Sequence, residues 1–185
     1  MIQKVLEKLA TNLERKNFEY MLIGGQAVLL YGEPRLTKDI DITLSADIDR
    51  LNEVISMVEE LGWTILVKDP YEFVKKTMVL PIKASEMNIR VDLIFSYTPY
   101  ERGAIKRAKK VKIGNAFISF ASPEDIIIHK LISGRPRDIE DIRGILLKKG
   151  GALDTEYIFY WLRQFEETLK KPVIREFQDL LKEVT

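Results

Sequence analysis

The sequence contains no cysteine and a single histidine, His129, and these two absences remove several kinds of chemistry. Without cysteine there is no disulfide bond, no thiolate zinc site and no thiol nucleophile. One histidine is too few for a histidine-based zinc site. Any metal chemistry must therefore use oxygen ligands, which favours magnesium, manganese or calcium.

Long apolar runs and an excess of charge are also missing. No apolar stretch approaches the roughly 18 residues that a membrane-spanning helix requires, and the first residues lack the unbroken apolar segment of a signal peptide. We therefore expect a cytoplasmic protein that does not contact membranes. The net charge is only +1, so the overall charge gives no argument for nucleic-acid binding.

The composition is that of a folded globular protein, with 46% hydrophobic and 31% charged residues. A length of 185 residues corresponds to about one domain, with or without a small appendage. Strand and helix patterns mix over roughly the first 120 residues, and only helical patterns follow. The sequence predicts an α+β fold, in which a mixed sheet is flanked by helices. We divide it into a core, residues 1–121, and an all-helical C-terminal part packed on that core, residues 122–185.

Apolar periodicity, glycines and prolines predict the individual elements. The predicted helices cover residues 2–16, 25–31, 47–61, 99–109, 122–133, 137–149, 154–169 and 172–183. The predicted strands cover residues 18–23, 36–44, 63–67, 73–80, 88–96, 111–113 and 116–120.

The pair Gly24-Gly25 stands between a predicted strand and a predicted helix. Glycine lets a ligand approach the backbone closely, and a helix N-terminus offers free N–H donors and the positive end of the helix dipole. This pattern is suited to a triphosphate. A plain connection between strand and helix is the alternative.

The sequence Asp39-Ile40-Asp41 places two carboxylates on one face of a predicted strand, because side chains alternate with a period of two. Aspartate is disfavoured in strands, and two on one face repel each other. A divalent cation that bridges Asp39 and Asp41 would explain this cost. The alternative is a solvated strand face that carries two acids.

A third acid, Asp92, lies in the apolar strand Val91 to Phe95. An ionised carboxylate is costly to bury without a partner. If this strand lies beside strand 36–44 in matching register, Asp92 joins Asp39 and Asp41 on one face. The alternative is a salt bridge with Arg90, which shares that face.

Taken together, the three features describe one kind of site. Three neighbouring acids can hold two hard cations, and the glycine turn can hold the phosphates of a nucleoside triphosphate. In-line attack on the α-phosphorus would then expel pyrophosphate.

Gly24-Gly25, a gap of 13 residues, Asp39-Ile40-Asp41 and the later Asp92 resemble the DNA polymerase β-type nucleotidyltransferase superfamily. The stretch from Gly24 to Asp41 is similar to small prokaryotic members that are related to abortive-infection toxins. The stretch 122–142 resembles the same group, which carries a lysine on one helix and Arg-Asp-x-x-Asp on the next. The resemblance covers about residues 18–146.

This resemblance implies a nucleotidyltransferase-type sheet and a Mg²⁺- or Mn²⁺-dependent transfer of a nucleoside monophosphate from a triphosphate to an acceptor hydroxyl. Asp39 and Asp41 would be metal ligands, and Asp92 a metal ligand or the general base. The implied nucleotide contacts are Gly24, Gly25 and Gln26.

The resemblance also implies roles for residues after position 122. Lys130 would lie near the triphosphate or the catalytic carboxylates, and Arg137, Asp138 and Asp141 would close the site or bind the base or acceptor. From the residues alone, Lys130 on its apolar stripe either reaches solvent or meets a buried anion. The other three could form ion pairs on a helix surface. Whether Asp92 or Asp138 and Asp141 supply the third functional acid stays open.

The resemblance leaves several partners open. The acceptor could be a small molecule, a tRNA end or a protein hydroxyl. A non-catalytic nucleotide- or partner-binding module of a toxin–antitoxin-like pair is the alternative function, with a helical protein partner. A homo-oligomer is equally compatible with the sequence.

A basic stretch without acids runs from Arg102 to Lys112, shortly after Tyr97 and Tyr100. It could track the phosphates of a nucleic acid, with a tyrosine stacked on a base. The alternative is a solvated surface.

Overall fold

The computed structural model describes residues 2–85, 88–96 and 98–184, and Tyr97 therefore lies outside the described residues. The chain divides into two compact units. The first contains residues 1–26 and 37–121, and the second contains residues 27–36 and 122–185. The second unit thus holds the predicted helical part together with a ten-residue segment that we had assigned to the core. That the helical part packs on the core stays a prediction.

A seven-stranded mixed sheet forms the centre of the first unit, with strand order β3-β4-β5-β2-β1-β7-β6. β2 runs parallel to β5 and β1 parallel to β7, whereas the other neighbouring strands are antiparallel. The predicted α+β class is confirmed. The strands are β1 (Tyr20–Ile23), β2 (Ile40–Leu44), β3 (Thr64–Ile65), β4 (Val79–Ala84), β5 (Ile89–Phe95), β6 (Lys109–Ile113) and β7 (Ala116–Phe120).

The helices follow the predicted order, with one addition described below. They are α1 (Ile2–Arg15), α2 (Gly24–Tyr31), α3 (Leu51–Glu60), α4 (Pro70–Thr77), α5 (Pro99–Arg107), α6 (Pro123–Ser133), α7 (Pro136–Lys149), α8 (Thr155–Leu169) and α9 (Val173–Val184), with short 3-10 helices at Ile48–Arg50 and Gly150–Ala152. None of the helices built from the described residues has the length and apolar character that a bilayer crossing requires.

Burial alternates along the whole of β5 and over the first three residues of β2. Ile40 of β2 is paired with Val91 of β5, and both side chains are fully buried on one face of the sheet. Asp92 and Ile94 alternate with these buried positions and are partly exposed. The period of two therefore assigns the acids of the central strands to the face opposite the apolar core.

The prediction of a strand at residues 73–80 is wrong for residues 73–78, and only its last two residues belong to β4. The side chain of Asp69 accepts the N–H of Glu72, and Pro70 occupies the first helical position, so a helix begins here and runs to Thr77. Met78 then takes a left-handed conformation, and β4 starts one residue later. An N-cap aspartate followed by proline is a start signal for a helix, and it outweighs the apolar run that favoured a strand.

The basic stretch lies on α5 and on β6, which is an edge strand of the sheet. Lys109, Lys110 and Lys112 are exposed there. Charged side chains on an edge strand hinder its pairing with other chains, which is a structural reason for their presence.

The helices of the second unit begin and end largely where the sequence predicts. Ser122 caps α6, because its Oγ accepts the N–H of Asp125, and Gly134 ends this helix. The core of the unit contains fully buried side chains from four helices. They include Ile127 of α6, Ile145 of α7, Leu162 of α8 and Phe177 of α9.

The segment of residues 27–36 packs closely against α7 in the second unit. Lys148 Nζ donates to the carbonyl oxygen of Gly32 at 2.8 Å. A Cβ atom at Gly144 would lie 3.1 Å from the backbone nitrogen of Glu33, so a larger residue at this position would push the segment away. This packing explains why the segment belongs to the helical unit, although it precedes β2 in sequence.

Candidate active site

Asp41 lies on β2, the central strand of the acidic face, with a neighbouring strand on each side. Its Cα partner on β1 is Ile23, and its partner on β5 is Asp92. Neighbouring strands are about 4.8 Å apart, so directly paired residues present their side chains on the same face. The predicted register, which places Asp92 beside Asp41, is confirmed.

The glycine turn touches the carboxylate of Asp41. Gly24 has a backbone φ of +66°, which residues that carry a Cβ atom rarely adopt. A Cβ atom at this position would lie 2.0 Å from Asp41 Oδ2. Glycine is therefore required for two independent reasons, its backbone conformation and the space that the carboxylate occupies.

Asp39 lies one residue before β2 and is exposed. The strand predicted at residues 36–44 thus begins only at Ile40, and Asp39 lies outside the register that pairs Asp41 with Asp92. Asp39, Asp41 and Gly24 all belong to the first unit, together with Asp92.

Arg90 places a cation on the acidic face. Its Nε donates to both oxygens of Asp92, at 3.0 Å and 3.2 Å. The pKa of Arg90 is raised, first by the hydrogen bond and the charge of Asp92, and then by the charges of Asp39 and Asp41. The salt bridge that the sequence left as an alternative for Asp92 is thus present, and it coexists with the pairing of Asp92 and Asp41.

Asp39, Asp41 and Asp92 do not by themselves form a group of three metal ligands in the described part of the chain. Within residues 2–85, 88–96 and 98–184, no three His, Cys, Asp or Glu side chains are close enough together to hold a metal ion. The available donors are carboxylate oxygens, which is the chemistry that Mg²⁺ and Mn²⁺ prefer. The donor type therefore fits such a cation, and metal binding by Asp39, Asp41 and Asp92 stays a prediction.

The start of α2 presents hydrogen-bond donors that the helix itself does not use. The first N–H groups of a helix have no acceptor within that helix, and this helix starts at Gly24. Gln26 is only 7% exposed, and its Nε2 finds no acceptor among the described residues. A buried donor without a partner costs about 1–3 kcal/mol, which an anionic ligand at this position would relieve.

The predicted functional residues of the helical part form a second group, inside the second unit. Lys130 Nζ lies 2.8 Å from Asp138 Oδ1 and 2.6 Å from Asp141 Oδ2. The three side chains are at most 7% exposed. Of the two interpretations of Lys130, the buried anion is therefore the one found, and the anions are these two aspartates. Arg137 is exposed at the start of α7.

Two arginines complete this second group. Arg35 binds Asp141 through two parallel hydrogen bonds of 2.8 Å and 2.9 Å, and Arg135 Nε donates to Asp138 at 2.8 Å. The sequence analysis missed Arg35, since no local pattern identifies a partner 106 residues away. The signal in the sequence that could have identified Arg35 is its position between the glycine turn and Asp39, two elements of the predicted site.

The carboxyl group of Asp138 has an altered acidity. Burial alone would raise its pKa, but hydrogen bonds from Lys130 and Arg135 reverse this effect and lower the pKa from 3.8 to about 2. Asp138 is therefore ionised at neutral pH, and it serves there as a fixed negative charge.

Comparison with known proteins identifies the family. Residues 1–158 match the family described as "Nucleotidyltransferase of unknown function (DUF6036)". The chain belongs to this family. The resemblance to nucleotidyltransferases that the motifs indicate is thereby confirmed. No curated protein matches the sequence.

Solved nucleotidyltransferases share the fold at low sequence identity. The solution structure of the antibiotic-resistance factor ANT(2'')-Ia has a TM-score of 0.64 and 17% identity, covering 91% of this chain and 94% of that one. An antigenic nucleotidyltransferase-like protein from Paracoccidioides brasiliensis has a TM-score of 0.58 and 19% identity, with 97% and 91% covered. The lincomycin-bound lincosamide adenylyltransferase LnuA has a TM-score of 0.55 and 20% identity, with 77% and 94% covered.

The contact between Gly24 and Asp41 predicts the effect of a single methyl group. We expect Gly24→Ala to lower the unfolding free energy by about 1–3 kcal/mol, because alanine is strained at positive φ and displaces the carboxylate. Chemical denaturation followed by circular dichroism measures this change. Gly103→Ala is the matched control: a Cβ there meets nothing within 4 Å, and alanine in helix α5 should be neutral or stabilising. Equal stability of Gly24→Ala and wild type would contradict the contact.

The low pKa of Asp138 predicts a pH dependence of stability. The pKa of Asp138 in the folded protein is about 2, below the ordinary value of 3.8. Its contribution to the unfolding free energy is therefore complete above pH 4–5 and is lost as the pH falls from about 4 towards 2. In urea denaturation we expect the unfolding free energy of wild type to fall by about 2 kcal/mol more than that of Asp138→Asn between pH 4 and pH 2. Asp179→Asn, which removes an exposed helix-surface carboxylate, should follow wild type. Parallel pH curves for wild type and Asp138→Asn would show that the carboxylate is not stabilised.

Proposed function

We propose that the protein transfers a nucleoside monophosphate from a nucleoside triphosphate to an acceptor hydroxyl in a reaction that depends on Mg²⁺ or Mn²⁺ and releases pyrophosphate. The observation that carries this proposal is the position of Asp41. One strand residue contacts the glycine turn on one side and is paired with a second acid, Asp92, on the other. Phosphate-binding and acidic elements therefore meet at one carboxylate.

The start of α2 supports the proposed binding of the triphosphate. The turn at Gly24 leads directly into the first N–H groups of the helix, where the helix dipole favours negative charge. Gln26 Nε2, a buried donor without an acceptor in the described part of the chain, would donate to a phosphate oxygen. Gly25, which has no side chain, would let the phosphates approach the backbone.

Asp39, Asp41 and Asp92 would bind the cation and accept the proton during the transfer step. The acceptor oxygen attacks the α-phosphorus, the bond from the α-phosphorus to the bridging oxygen breaks, and pyrophosphate leaves with the electron pair. Asp92 would accept the hydroxyl proton or share the metal with Asp39 and Asp41. A divalent cation held by these carboxylates would neutralise the triphosphate and the charge on the attacking and leaving oxygens.

The fold neighbours supply a first set of acceptors to test. ANT(2'')-Ia has been crystallised with adenylyl-2''-tobramycin, and LnuA with lincomycin. An aminoglycoside and a lincosamide are therefore reasonable candidates, although identities near 20% establish the fold alone. A tRNA or a protein acceptor requires the same hydroxyl chemistry.

Substitution of Asp41 tests the proposed reaction. Each of the four nucleoside triphosphates, labelled at the α-phosphate, is incubated with Mg²⁺ or Mn²⁺ and with tobramycin, lincomycin, total tRNA or a cell extract. We expect transfer of label by wild type and a loss of at least about 100-fold in Asp41→Asn, because the residue lies where phosphate and acid elements meet.

Asp49→Asn is the control for this experiment, because Asp49 is an exposed acid of the 3-10 helix after β2. It should transfer at the wild-type rate. If wild type labels no acceptor with any nucleotide and either cation, or if Asp41→Asn is as active as wild type, the proposed reaction is wrong.

The buried amide of Gln26 predicts a separation of binding from stability. Gln26→Met keeps the size of the side chain and removes an unsatisfied buried donor, so the unfolding free energy should stay equal or rise slightly. The affinity for a fluorescent ATP analogue should fall by about tenfold or more, because a hydrogen bond to a charged phosphate is lost. Gln164→Met on the exposed surface of α8 should change neither quantity. Unchanged affinity in Gln26→Met would exclude the amide from the binding site.

A further inference from the structure

The acidic face contains a cation of its own that the proposed reaction does not use. Arg90 and Asp92 lie two residues apart on β5 and therefore on the same face as Asp41. The arginine nitrogen is within 3.2 Å of both oxygens of Asp92. Its charge is also felt by Asp39 and Asp41.

The charges on this face explain why such a cation is needed. The charges of Asp92, Asp39 and Asp41 all act on Arg90, and like charges close to one another repel. Arg90 offsets one of these charges without any bound ion. Repulsion within a carboxylate group that has a counterion of its own is therefore smaller in the absence of metal than in a group without one.

The two partners of this salt bridge differ in mobility. The Asp92 side chain is 20% exposed and belongs to a strand paired on both sides, whereas the Arg90 side chain is 53% exposed. A long and mostly solvated side chain can leave its partner at little cost, since exposed ion pairs contribute only about 0–1 kcal/mol. Arg90 is therefore the member that can move.

We propose that Arg90 is a built-in counterion that holds Asp92 while the acidic face is without metal, and that a divalent cation must displace it in order to bind. This inference rests on the proposed metal-dependent function. Arg90 faces both carboxylate oxygens that a cation would use, and a guanidinium so close to a divalent ion would be repelled. Arginine thus competes with the metal and sets the concentration at which the site fills.

A direct measurement of metal binding tests this role. Free Mn²⁺ is followed by electron paramagnetic resonance during titration of wild type and of Arg90→Gln, without nucleotide and at low salt. We expect Arg90→Gln to bind Mn²⁺ about three- to tenfold more tightly than wild type, because the competing charge is gone. Arg90→Lys, which keeps the charge, should remain near wild type.

Arg102 offers a matched control on the same unit. Its side chain is 48% exposed, and its Nη2 lies 2.7 Å and 2.8 Å from the two oxygens of Asp47. Arg102→Gln removes an equivalent exposed salt bridge away from the acidic face, so its Mn²⁺ affinity should equal that of wild type. If Arg90→Gln does not fold, Arg90→Met keeps the aliphatic stem and gives the same comparison.

Thermal unfolding gives a second readout that does not depend on activity. Without metal, Arg90→Gln should melt below wild type, because the three acids have lost their counterion. Mn²⁺ should then raise the melting temperature of Arg90→Gln more than that of wild type. A purely structural salt bridge predicts the lower melting temperature without the larger response.

The possible outcomes separate this inference from the proposed function. If wild type binds Mn²⁺ and Arg90→Gln binds it equally or more weakly, the counterion role is wrong and the metal site stands. If Arg90→Gln binds Mn²⁺ more tightly and Arg90→Lys does not, the role is supported. If neither wild type nor any Arg90 variant binds Mn²⁺ at millimolar concentration, the counterion role is wrong, and the labelling experiment with nucleotide and cation decides the proposed reaction separately.

Discussion

The contact between Gly24 and Asp41 is the constraint on which the candidate site depends. The carboxylate of Asp41 fills the space that a side chain at position 24 would need, so the turn after β1 and the acid of β2 determine each other's position. Because β2 is also paired with β5, the same carboxylate has Asp92 as its neighbour. The absence of a side chain at Gly24 and the register of β2 with β5 thus bring the glycine turn and two acids together.

The strand alternation that brings the acids together can be read from the sequence, and the reason is local. Period two predicts that Asp41 lies on the face opposite Ile40 and Ile42, and the apolar residues around Asp92 identify a second strand with the same pattern. The prediction that Asp39 belongs to the same strand is wrong, because β2 begins at Ile40. The register between β2 and β5 then follows from the burial of Ile40 and Val91, because a slip of one residue would turn the acids into the core. Gly24 could be named as a turn residue, but its contact with Asp41 could not.

Interactions between distant residues lie beyond such patterns. The pairing of Arg35 with Asp141 spans 106 positions and depends on how residues 27–36 pack on α7. The same packing moves this segment into the helical unit, whereas composition assigns it to the core. The wrong strand at residues 73–80 has a different cause, since Asp69 and Pro70 are local signals that outweigh the apolar run. The fold class and the acidic face can thus be predicted from local patterns, whereas a charge partner distant in sequence, such as Arg35 for Asp141, cannot.

The two acidic groups of the chain are neutralised in opposite ways, and the difference bears on function. Lys130 is 7% exposed between Asp138 and Asp141, and its removal would leave uncompensated buried charges, so this group cannot exchange its cation cheaply. Arg90 is 53% exposed and can leave Asp92 for solvent. The metal site that we propose around Asp41 would need a counterion that can be exchanged. Of the two groups, the one around Asp41 has such a counterion in Arg90, whereas the one around Lys130 holds its buried cation in place.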